Sequence, residues 1–255
     1  MKRILTYNVN GIRSAISKGL LGWLPEVNPD VICFQETKAQ PGQMQENDFE
    51  ALGYHAYIHS AEKKGYSGVA IFSKQIPDHV EYGMNNSKYD FEGRVIRADF
   101  GDLSVINVYF PSGTTGELRQ AVKMQFLLDF HAYLNELRKT RTKLVISGDY
   151  NICHLWIDIH NPAQQQNTSG FLPEERAWFD IFVLDGYTDS FRVINSEANQ
   201  YTWWSYRAGA RTNNKGWRID YHMVTRELED KILDARILAE AVHSDHCPVL
   251  VDIDI

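Results

Sequence analysis

Short apolar runs recur along the chain, with polar and turn-forming residues between them. Runs of strand length and continuous apolar character predict strands that are buried on both faces. The predicted strands cover residues 4–7, 31–34, 69–72, 95–100, 103–109, 144–147, 202–205, 219–224 and 249–253. Helical periodicity between some of these runs predicts helices that cover the outer faces of the sheets, so an α/β sandwich is expected.

Two segments carry the clearest helical signal. In the first, apolar residues recur at steps of three and four and form one face of a helix. This stripe consists of Leu118, Val122, Phe126, Phe130, Leu134 and Leu137. The second helix is predicted to begin at Pro173, because proline suits the first helical position and two acidic residues follow it, and to end near Gly186. Its inward face is predicted to carry Trp178, Ile181 and Phe182.

The length of 255 residues is at the upper end of what commonly folds as one domain, so a single domain over residues 1–255 is expected. No apolar stretch reaches the length of a membrane span, and the chain enters its first predicted strand with no room for a signal peptide. A cytoplasmic, monomeric protein is expected. Cys33, Cys153 and Cys247 are too scattered for a disulfide framework or a zinc site, and reduced, mostly buried thiols are expected.

The formal charge of −7 argues against a nucleic-acid partner, but the local charge is more informative. Residues 199–219 contain no acidic residue. The basic residues of this segment are Arg207, Arg211, Lys215 and Arg218, and its aromatic residues are Tyr201, Trp203, Trp204, Tyr206 and Trp217. A cationic segment with stacking surfaces suits a nucleic-acid backbone and an exposed base or sugar, with Arg207, Arg211 and Lys215 on the DNA backbone. The alternative is a strand and loop with its tryptophans in the core.

Three predicted strands each have a carboxylate next to one end. Glu36 follows the second strand, Asp149 follows the strand at 144–147, and Asp245 precedes the last strand. Each acid taken alone is most simply a turn or cap residue, but their joint occurrence favours a site on one sheet edge. Mg²⁺ takes oxygen ligands, and Mn²⁺ is expected to substitute, so Glu36 and Asp245 are the predicted metal ligands with Asn10 beside them.

Two further pairs predict phosphodiester chemistry. Asp149 and Asn151 point the same way in an extended segment, so a carboxylate that activates water adjoins an amide that binds phosphate. His246 is a candidate metal ligand, core histidine or phosphate contact. Because Asp220 supplies a carboxylate that favours the charged imidazole, a phosphate contact oriented by Asp220 is preferred.

These residues resemble the exonuclease III-type apurinic/apyrimidinic endonucleases of the endonuclease/exonuclease/phosphatase superfamily. The resemblance spans nearly the whole chain. It rests on Tyr7-Asn8-Val9-Asn10-Gly11-Ile12-Arg13, Gln35-Glu36-Thr37-Lys38, Gly65-Tyr66-Ser67-Gly68-Val69, Asn107-Val108-Tyr109-Phe110-Pro111, Gly148-Asp149-Tyr150-Asn151, Phe171-Leu172-Pro173-Glu174-Glu175-Arg176, Gly216-Trp217-Arg218-Ile219-Asp220-Tyr221 and Ser244-Asp245-His246. The Trp-Arg-Ile-Asp-Tyr and Phe-Leu-Pro-Glu-Glu-Arg segments single out the DNA-repair branch.

The resemblance implies a DNase I-like, four-layer α/β sandwich with two central mixed sheets. It also implies a role for each matching position. The implied metal ligands are Glu36, Asn10 and Asp245, and the implied catalytic residues are Asp149, Tyr109, His246, Asn151 and Asp220. The implied phosphate contacts are Asn8, Asn151 and His246. The pocket for an abasic sugar is implied at Trp203, Trp217 and Ile219.

The chain departs from the family pattern in three segments. Some members carry Asp where this chain has Asn10, which puts the strength of metal binding in doubt. Ser112 stands where an amide side chain is familiar, so one phosphate contact is in doubt. Leu155 and Trp156 are apolar where charged or polar residues are expected, and Trp156 is open to interpretation as a DNA-stacking or a packing residue.

The sequence therefore predicts a Mg²⁺-dependent DNA-repair phosphodiesterase of base excision repair. It is expected to cut double-stranded DNA 5′ to abasic sites, to leave a 3′-hydroxyl, and to trim blocked or normal 3′ ends. The alternatives are a 3′-5′ exonuclease or 3′-phosphatase that incises abasic sites poorly, and a catalytically silent DNA-binding module. A phosphoinositide or sphingomyelin hydrolase is disfavoured by the acid-free aromatic segment and by the lack of an amphipathic membrane segment.

Overall fold

The structure is a computed structural model that describes residues 1–255. Its strands are β1 (Lys2–Asn8), β2 (Val31–Gln35), β3 (His55–His59), β4 (Val69–Ser73), β5 (His79–Tyr82), β6 (Val95–Phe100), β7 (Leu103–Tyr109), β8 (Lys143–Asp149), β9 (Tyr187–Asp189), β10 (Asp220–Thr225), β11 (Ile232–Ile237) and β12 (Val249–Ile253). Its helices are α1 (Ile12–Ser17), α2 (Leu20–Val27), α3 (Glu46–Ala51), α4 (Glu117–Leu137), α5 (Pro162–Gln165), α6 (Pro173–Leu184) and α7 (Ser190–Ile194). Short 3₁₀ turns occupy Asp90–Glu92, Trp156–Asp158 and Arg226–Lys231.

The strands form two six-stranded mixed sheets, in the orders β11-β12-β1-β2-β4-β3 and β5-β6-β7-β8-β10-β9. In the first sheet β1 and β2 are parallel, and in the second sheet β7 and β8 are parallel, while the other pairs are antiparallel. The register places Asn8 beside Gln35, Tyr109 beside Asp149, and Asp149 opposite Asp220. Polar side chains at these strand ends therefore converge on one edge of the sandwich.

Three hydrophobic clusters separate the layers. One lies between the first sheet and α1 to α3, one between the two sheets, and one between the second sheet and helices α4 and α6. Alternate side chains of each strand point to opposite faces, so both sheets contribute to the middle cluster and to one outer cluster. Three apolar interfaces define four layers, and the expected four-layer α/β sandwich with two central mixed sheets is confirmed.

Polar side chains cross the middle layer at two places. Gln35 Nε2 of the first sheet donates to Asn107 Oδ1 of the second sheet at 2.7 Å, and also to Thr6 Oγ1 at 2.9 Å. His222 of the second sheet lies 2.7 Å from Ser147 Oγ and 3.0 Å from the carbonyl oxygen of Val249 in the first sheet. These contacts fix one sheet relative to the other more specifically than apolar packing does.

Glycine at position 148 permits a close approach of two strands. A Cβ at Gly148 would lie 1.9 Å from the carbonyl oxygen of Val108 on the neighbouring strand β7. The two parallel strands can therefore bring Tyr109 and Asp149 side by side only if residue 148 has no side chain.

The strands that the sequence did not predict are the four edge strands β3, β5, β9 and β11. An edge strand pairs on one side only, and these four are short or half-exposed, so they lack the continuous apolar run of a buried strand. The predicted strand at 202–205 is wrong. This segment is a loop, joined by single bridges from Trp203 to Trp217 and from Trp203 to His246.

Both predicted helices are present, as α4 and α6, with corrections to their inward faces. Phe126, Phe130 and Leu134 are buried as predicted, but Leu118 and Val122 are 88% and 39% exposed. In this part of α4 the buried residue is instead Lys123, which pairs with Glu175 of α6, so the apolar positions 118 and 122 are left exposed. In α6, Trp178 and Phe182 are buried, whereas Ile181 is exposed. The three cysteines are free and buried, as expected. No helix is long and apolar enough to cross a membrane.

Candidate active site

The converging strand ends surround a cavity of about 300 Å³. It is lined by Glu36, Tyr109, Ser112, Thr114, Asp149, Asn151, Thr168, Ser169, Gly170, Trp203, Trp217, Ile219, Asp245 and His246. Both sheets contribute to this lining, together with the loops that follow Asn151 and precede β12. Nine of the twelve predicted catalytic, metal, phosphate and sugar-pocket residues thus line one cavity, and the other three, Asn8, Asn10 and Asp220, lie within hydrogen-bond distance of residues of this lining.

Asn8 joins the two sheets at the base of the cavity. Its amide nitrogen donates to Glu36 Oε1 at 2.9 Å and to Asp149 Oδ2 at 2.8 Å, and its Oδ1 accepts from the backbone amide of Asn10. Asn8 is fully buried, and all of its side-chain polar groups are engaged. In this arrangement Asn8 positions two carboxylates, and its contact with phosphate stays a prediction.

Three residues around the cavity have left-handed backbone conformations. The φ angles are 44° for Asn10, 49° for Glu36 and 51° for Asn151. This region is uncommon for residues other than glycine and is least costly for asparagine. Such conformations at the ends of β1, β2 and β8 turn the side chains towards one another, and backbone strain of this kind concentrates at functional sites.

Two of the three predicted metal ligands already contact a cation. Lys38 Nζ lies 2.8 Å from Glu36 Oε2 and donates to Asn10 Oδ1 at 2.5 Å, while Asn10 Nδ2 donates to Asp245 Oδ1 at 2.9 Å. Glu36, Asp149 and His246 also present ligand atoms within 4.8 Å of one another. Carboxylate and amide oxygens that hold an ammonium group fit a hard divalent cation.

The neighbours of Glu36 and Asp245 favour their ionised forms. Burial raises the pKa of Glu36, but Lys38 and Asn8 outweigh burial and the pKa is lowered. At Asp245, burial is outweighed by His246 and by hydrogen bonds from Asn10 and Trp203, so this pKa is lowered too. Both carboxylates therefore carry the charge that a metal ligand needs.

His246 and Asp220 form a buried pair. His246 Nδ1 lies 2.9 Å from Asp220 Oδ2, which also accepts a 2.6 Å hydrogen bond from Thr202 Oγ1. Burial disfavours the imidazolium, but Asp220, Asp149 and Asp245 outweigh it and raise the pKa of His246 to about 10. Asp220 therefore orients the ring and keeps it cationic, as the sequence predicted for a phosphate contact.

Asp149 is in the opposite electrostatic state. Burial and the facing carboxylate of Asp220 raise its pKa to about 7, against the lowering effects of His246 and Asn8. A carboxylate with such a pKa is a stronger base than an ordinary aspartate and is about half ionised near neutral pH. Its position between Asn8 and Asn151 suits a group that takes a proton from water.

Tyr109 stands beside Asp149 on the neighbouring strand. Its ring packs 4.9 Å from the guanidinium of Arg94, which also donates to the Tyr109 carbonyl oxygen. Burial, Glu36 and Asp149 hold the pKa of Tyr109 well above its usual value, so the hydroxyl stays protonated. A protonated hydroxyl can donate to a phosphate oxygen.

The opposite wall of the cavity is apolar. Trp203 and Trp217 meet edge to face at 6.0 Å between ring centres, and both pack with Ile219 against a small cluster that includes Phe171. Trp203 Nε1 donates to Asp245 Oδ2, which links this wall to the predicted metal ligands. Polar strand ends and an aromatic wall therefore face each other across one cavity.

The chain matches the endonuclease/exonuclease/phosphatase family over residues 5–246. It is 43% identical to an exodeoxyribonuclease of Bacillus subtilis over 255 residues, which covers 99% of this chain and 100% of the relative. The chain belongs to the endonuclease/exonuclease/phosphatase family.

Two solved structures of this family resemble the whole chain. An AP endonuclease from Archaeoglobus fulgidus has a TM-score of 0.90 and 33% identity, with 100% of both chains covered. A 3′ phosphatase from Neisseria bound to a product DNA hairpin has a TM-score of 0.92 and 28% identity, also with 100% of both chains covered. The chain is accordingly a hydrolytic DNA-repair nuclease, and the nucleases of its family are metal-dependent.

The three residues that were predicted to contact the DNA backbone differ in their surroundings. Arg207 and Lys215 are exposed. Arg211 instead donates to the carbonyl oxygens of Ala239, Ala241 and Ser244, and its guanidinium lies over the ring of Trp204 at 4.7 Å. Arg211 thus supports the loop before Asp245, and its contact with DNA stays a prediction.

The sequence analysis assigned no role to several residues that shape the site. These are Lys38, Arg94, Lys123, Thr168, Ser169, Gly170, Glu175 and Thr202. The signal for some was present, since Lys38 and Glu175 lie inside two of the family motifs. Ser112 lines the cavity, whereas Trp156 is 49% exposed outside it, with its ring edge-on to Phe171 at 6.3 Å.

Proposed function

We propose that this nuclease cleaves the backbone of double-stranded DNA on the 5′ side of abasic sites and uses Mg²⁺, with Mn²⁺ as a substitute. It also removes phosphate and other blocking groups from 3′ ends. The observation that carries the proposal is the cavity itself. A hydrolytic set of residues shares one cavity with an apolar wall, and the cavity is large enough for a sugar without its base.

The residues of the chain suit each part of the reaction. Asp149 accepts a proton from water, the water oxygen attacks the phosphorus atom, and the bond from phosphorus to the upstream 3′ oxygen breaks. The 3′ oxygen takes up a proton from solvent water and leaves as a hydroxyl, and the phosphate stays on the abasic sugar. His246, Asn151 and Tyr109 donate to the phosphate oxygens as their charge grows. Mg²⁺ held by Glu36, Asn10 and Asp245 would supply further positive charge at that phosphate.

The aromatic wall suits selection of the substrate. Trp203, Trp217 and Ile219 can enclose an extruded sugar that lacks a base, whereas an intact nucleotide needs more room. Arg207 and Lys215 are exposed on the loop that follows Trp203 and suit contacts with backbone phosphates. Each such contact would add about one unit to the salt dependence of binding.

One pair of substrates tests the proposal. A duplex with a single abasic analogue and a duplex with a 3′-phosphate at a nick are incubated with the enzyme, with and without EDTA. We expect incision at the analogue to give a 3′-hydroxyl product and to stop with EDTA. Loss of phosphate alone, with an uncut abasic duplex, would instead identify a 3′-end-processing enzyme. Binding without any cleavage would identify a DNA-binding module.

A substitution in the aromatic wall tests whether the wall selects the substrate independently of the hydrolytic residues. Trp217→Ala is expected to reduce incision at the abasic analogue relative to undamaged DNA, because it opens the pocket to nucleotides that carry a base. Lys215→Ala is the matched control, and it should weaken binding to both substrates equally. An unchanged preference in folded Trp217→Ala would show that the tryptophan is only a packing residue.

A further inference from the structure

A buried ion pair lies directly behind the cavity. Lys123 of α4 and Glu175 of α6 are both fully buried, and Lys123 Nζ lies 2.5 Å from Glu175 Oε1. Burial lowers the pKa of Lys123, although Glu175 opposes this effect. Because two buried charges lose their hydration, such a pair is seldom more stabilising than apolar side chains of the same size. Its geometry therefore points to a role other than stability.

Each member of the pair holds a different part of the cavity. Lys123 Nζ donates to the carbonyl oxygen of Asn151 at 2.8 Å. Glu175 Oε2 accepts from the backbone amides of Gly170 at 2.6 Å and Leu172 at 2.9 Å. The pair thus connects the predicted phosphate contact, Asn151, to the loop that forms one side of the cavity.

A glutamine on α4 extends the connection. Gln120 Nε2 donates to Glu175 Oε1 at 3.0 Å, and Gln120 Oε1 accepts from Ser169 Oγ at 2.7 Å. Ser169 and Gly170 both line the cavity. Gly170 has a φ of 99°, and a Cβ at this position would lie 2.8 Å from the ring of Trp217. The loop is therefore held in contact with the aromatic wall, with little room to move.

We infer that Lys123 and Glu175 are positioning residues that hold the loop at 168–170 against the sugar on the 3′ side of the scissile phosphate. This inference rests on the proposed function. An abasic site places a sugar in the cavity that this loop and Trp217 line together, whereas a 3′-terminal phosphate carries no sugar on that side. The pair therefore favours internal incision over removal of a terminal phosphate, although both reactions use the same hydrolytic residues.

The two reactions provide the test. The values of kcat and KM are measured on a duplex with an abasic analogue and on a nicked duplex with a 3′-phosphate. The first variant is Gln120→Ala, which removes the shorter of the two hydrogen bonds of Ser169 Oγ and leaves the ion pair in place. The second is the double variant Lys123→Met/Glu175→Gln, which removes both charges together and so leaves no single charge buried. The matched control is Arg97→Met/Asp99→Asn, which removes a buried ion pair within β6 that lies outside the cavity.

We expect both test variants to lower kcat/KM for abasic incision by about tenfold or more relative to 3′-phosphate removal, because a displacement of about 1 Å can cost up to about a hundredfold. The control should lower the melting temperature and leave the ratio of the two activities unchanged. An unchanged ratio in Gln120→Ala, or in a folded double variant, would overturn the inference. If the unaltered enzyme does not incise the abasic duplex, the proposed function fails instead.

Discussion

The two sheets end in carboxylates of opposite character. At the end of the first sheet, Glu36 lies against Lys38, and its pKa is lowered. At the end of the second sheet, Asp149 lies opposite Asp220, and its pKa is raised to about 7. Both acids follow a buried strand and both accept a hydrogen bond from Asn8. Their difference arises from the groups opposite them, a cation for one and a second carboxylate for the other.

This difference divides the chemistry between the sheets. An acid that stays ionised suits a metal ligand, and an acid with a pKa near neutrality suits proton transfer. His246 belongs to both halves, because it precedes a strand of the first sheet and pairs with Asp220 of the second. The site is therefore complete only when the two sheets are packed face to face, and the following predictions test whether the halves can be disturbed separately.

The largest expected effect is on the cleavage rate, when the carboxylate at the end of the second sheet is changed. Asp149→Asn keeps the shape of the side chain and removes its basicity, so cleavage should fall by about 10²–10⁴-fold, with nearly normal DNA binding. Single-turnover rates and a binding titration measure the two quantities. A loss of less than about tenfold would mean that another group activates the water.

A substitution at the end of the first sheet should change the metal requirement more than the cleavage rate. Glu36→Gln removes one ligand charge, so the metal concentration for half-maximal activity should rise by about tenfold to a hundredfold. Rates at saturating metal should fall much less than in Asp149→Asn. A metal titration that matches the unaltered enzyme, at an unchanged melting temperature, would remove Glu36 from the metal site.

A change between the sheets should affect both halves moderately. Gln35→Leu leaves Asn107 Oδ1 without its donor in the middle layer, so the free energy of unfolding should fall by about 1–3 kcal/mol. The cleavage rate should fall and the metal concentration for half-maximal activity should rise, because the strand ends of both sheets move. Gln164→Leu, at an exposed position of α5, is the control. Urea unfolding measures the loss of stability, and a metal titration of the cleavage rate measures the other two quantities. A change in only one of the rate and the metal requirement would contradict the prediction.

The smallest effect concerns pH. Burial lowers the pKa of His222 to about 4 from an ordinary value of 6.5. The unfolded chain therefore binds a proton that the folded protein excludes, and stability falls as the pH drops from about 6.5 towards 4. Between pH 7 and pH 5.5, the free energy of unfolding should fall by about 1 kcal/mol more than in His222→Gln. Urea unfolding at the two pH values measures this, and equal losses in both proteins would contradict it.

The sequence predicted the interior of the fold better than its edges. The eight interior strands match predicted runs within a few residues, since each is apolar over its whole length, while the edge strands carry no such signal. Glu36, Asp149 and Asp245 could be picked out from the sequence because acids at the ends of buried strands are conspicuous, whereas Tyr109 and the tryptophans of the wall were implied only by the family resemblance. The electrostatic states of these acids were not predictable, since Asp149 faces Asp220 only through the pairing of strands that are separated by 70 intervening residues. The pairing of Lys123 with Glu175 was not predictable either, because the spacing of residues along a helix does not show that a charged side chain is buried.

The close strand approach at Gly148 has a consequence for genetic screens. No side chain fits there without separating Tyr109 from Asp149. In a saturation library scored for DNA repair, every substitution at position 148 should therefore be as damaging as the loss of a group that takes part in the reaction. A map of such scores alone would place Gly148 in the chemistry, although its only contribution is that it has no side chain.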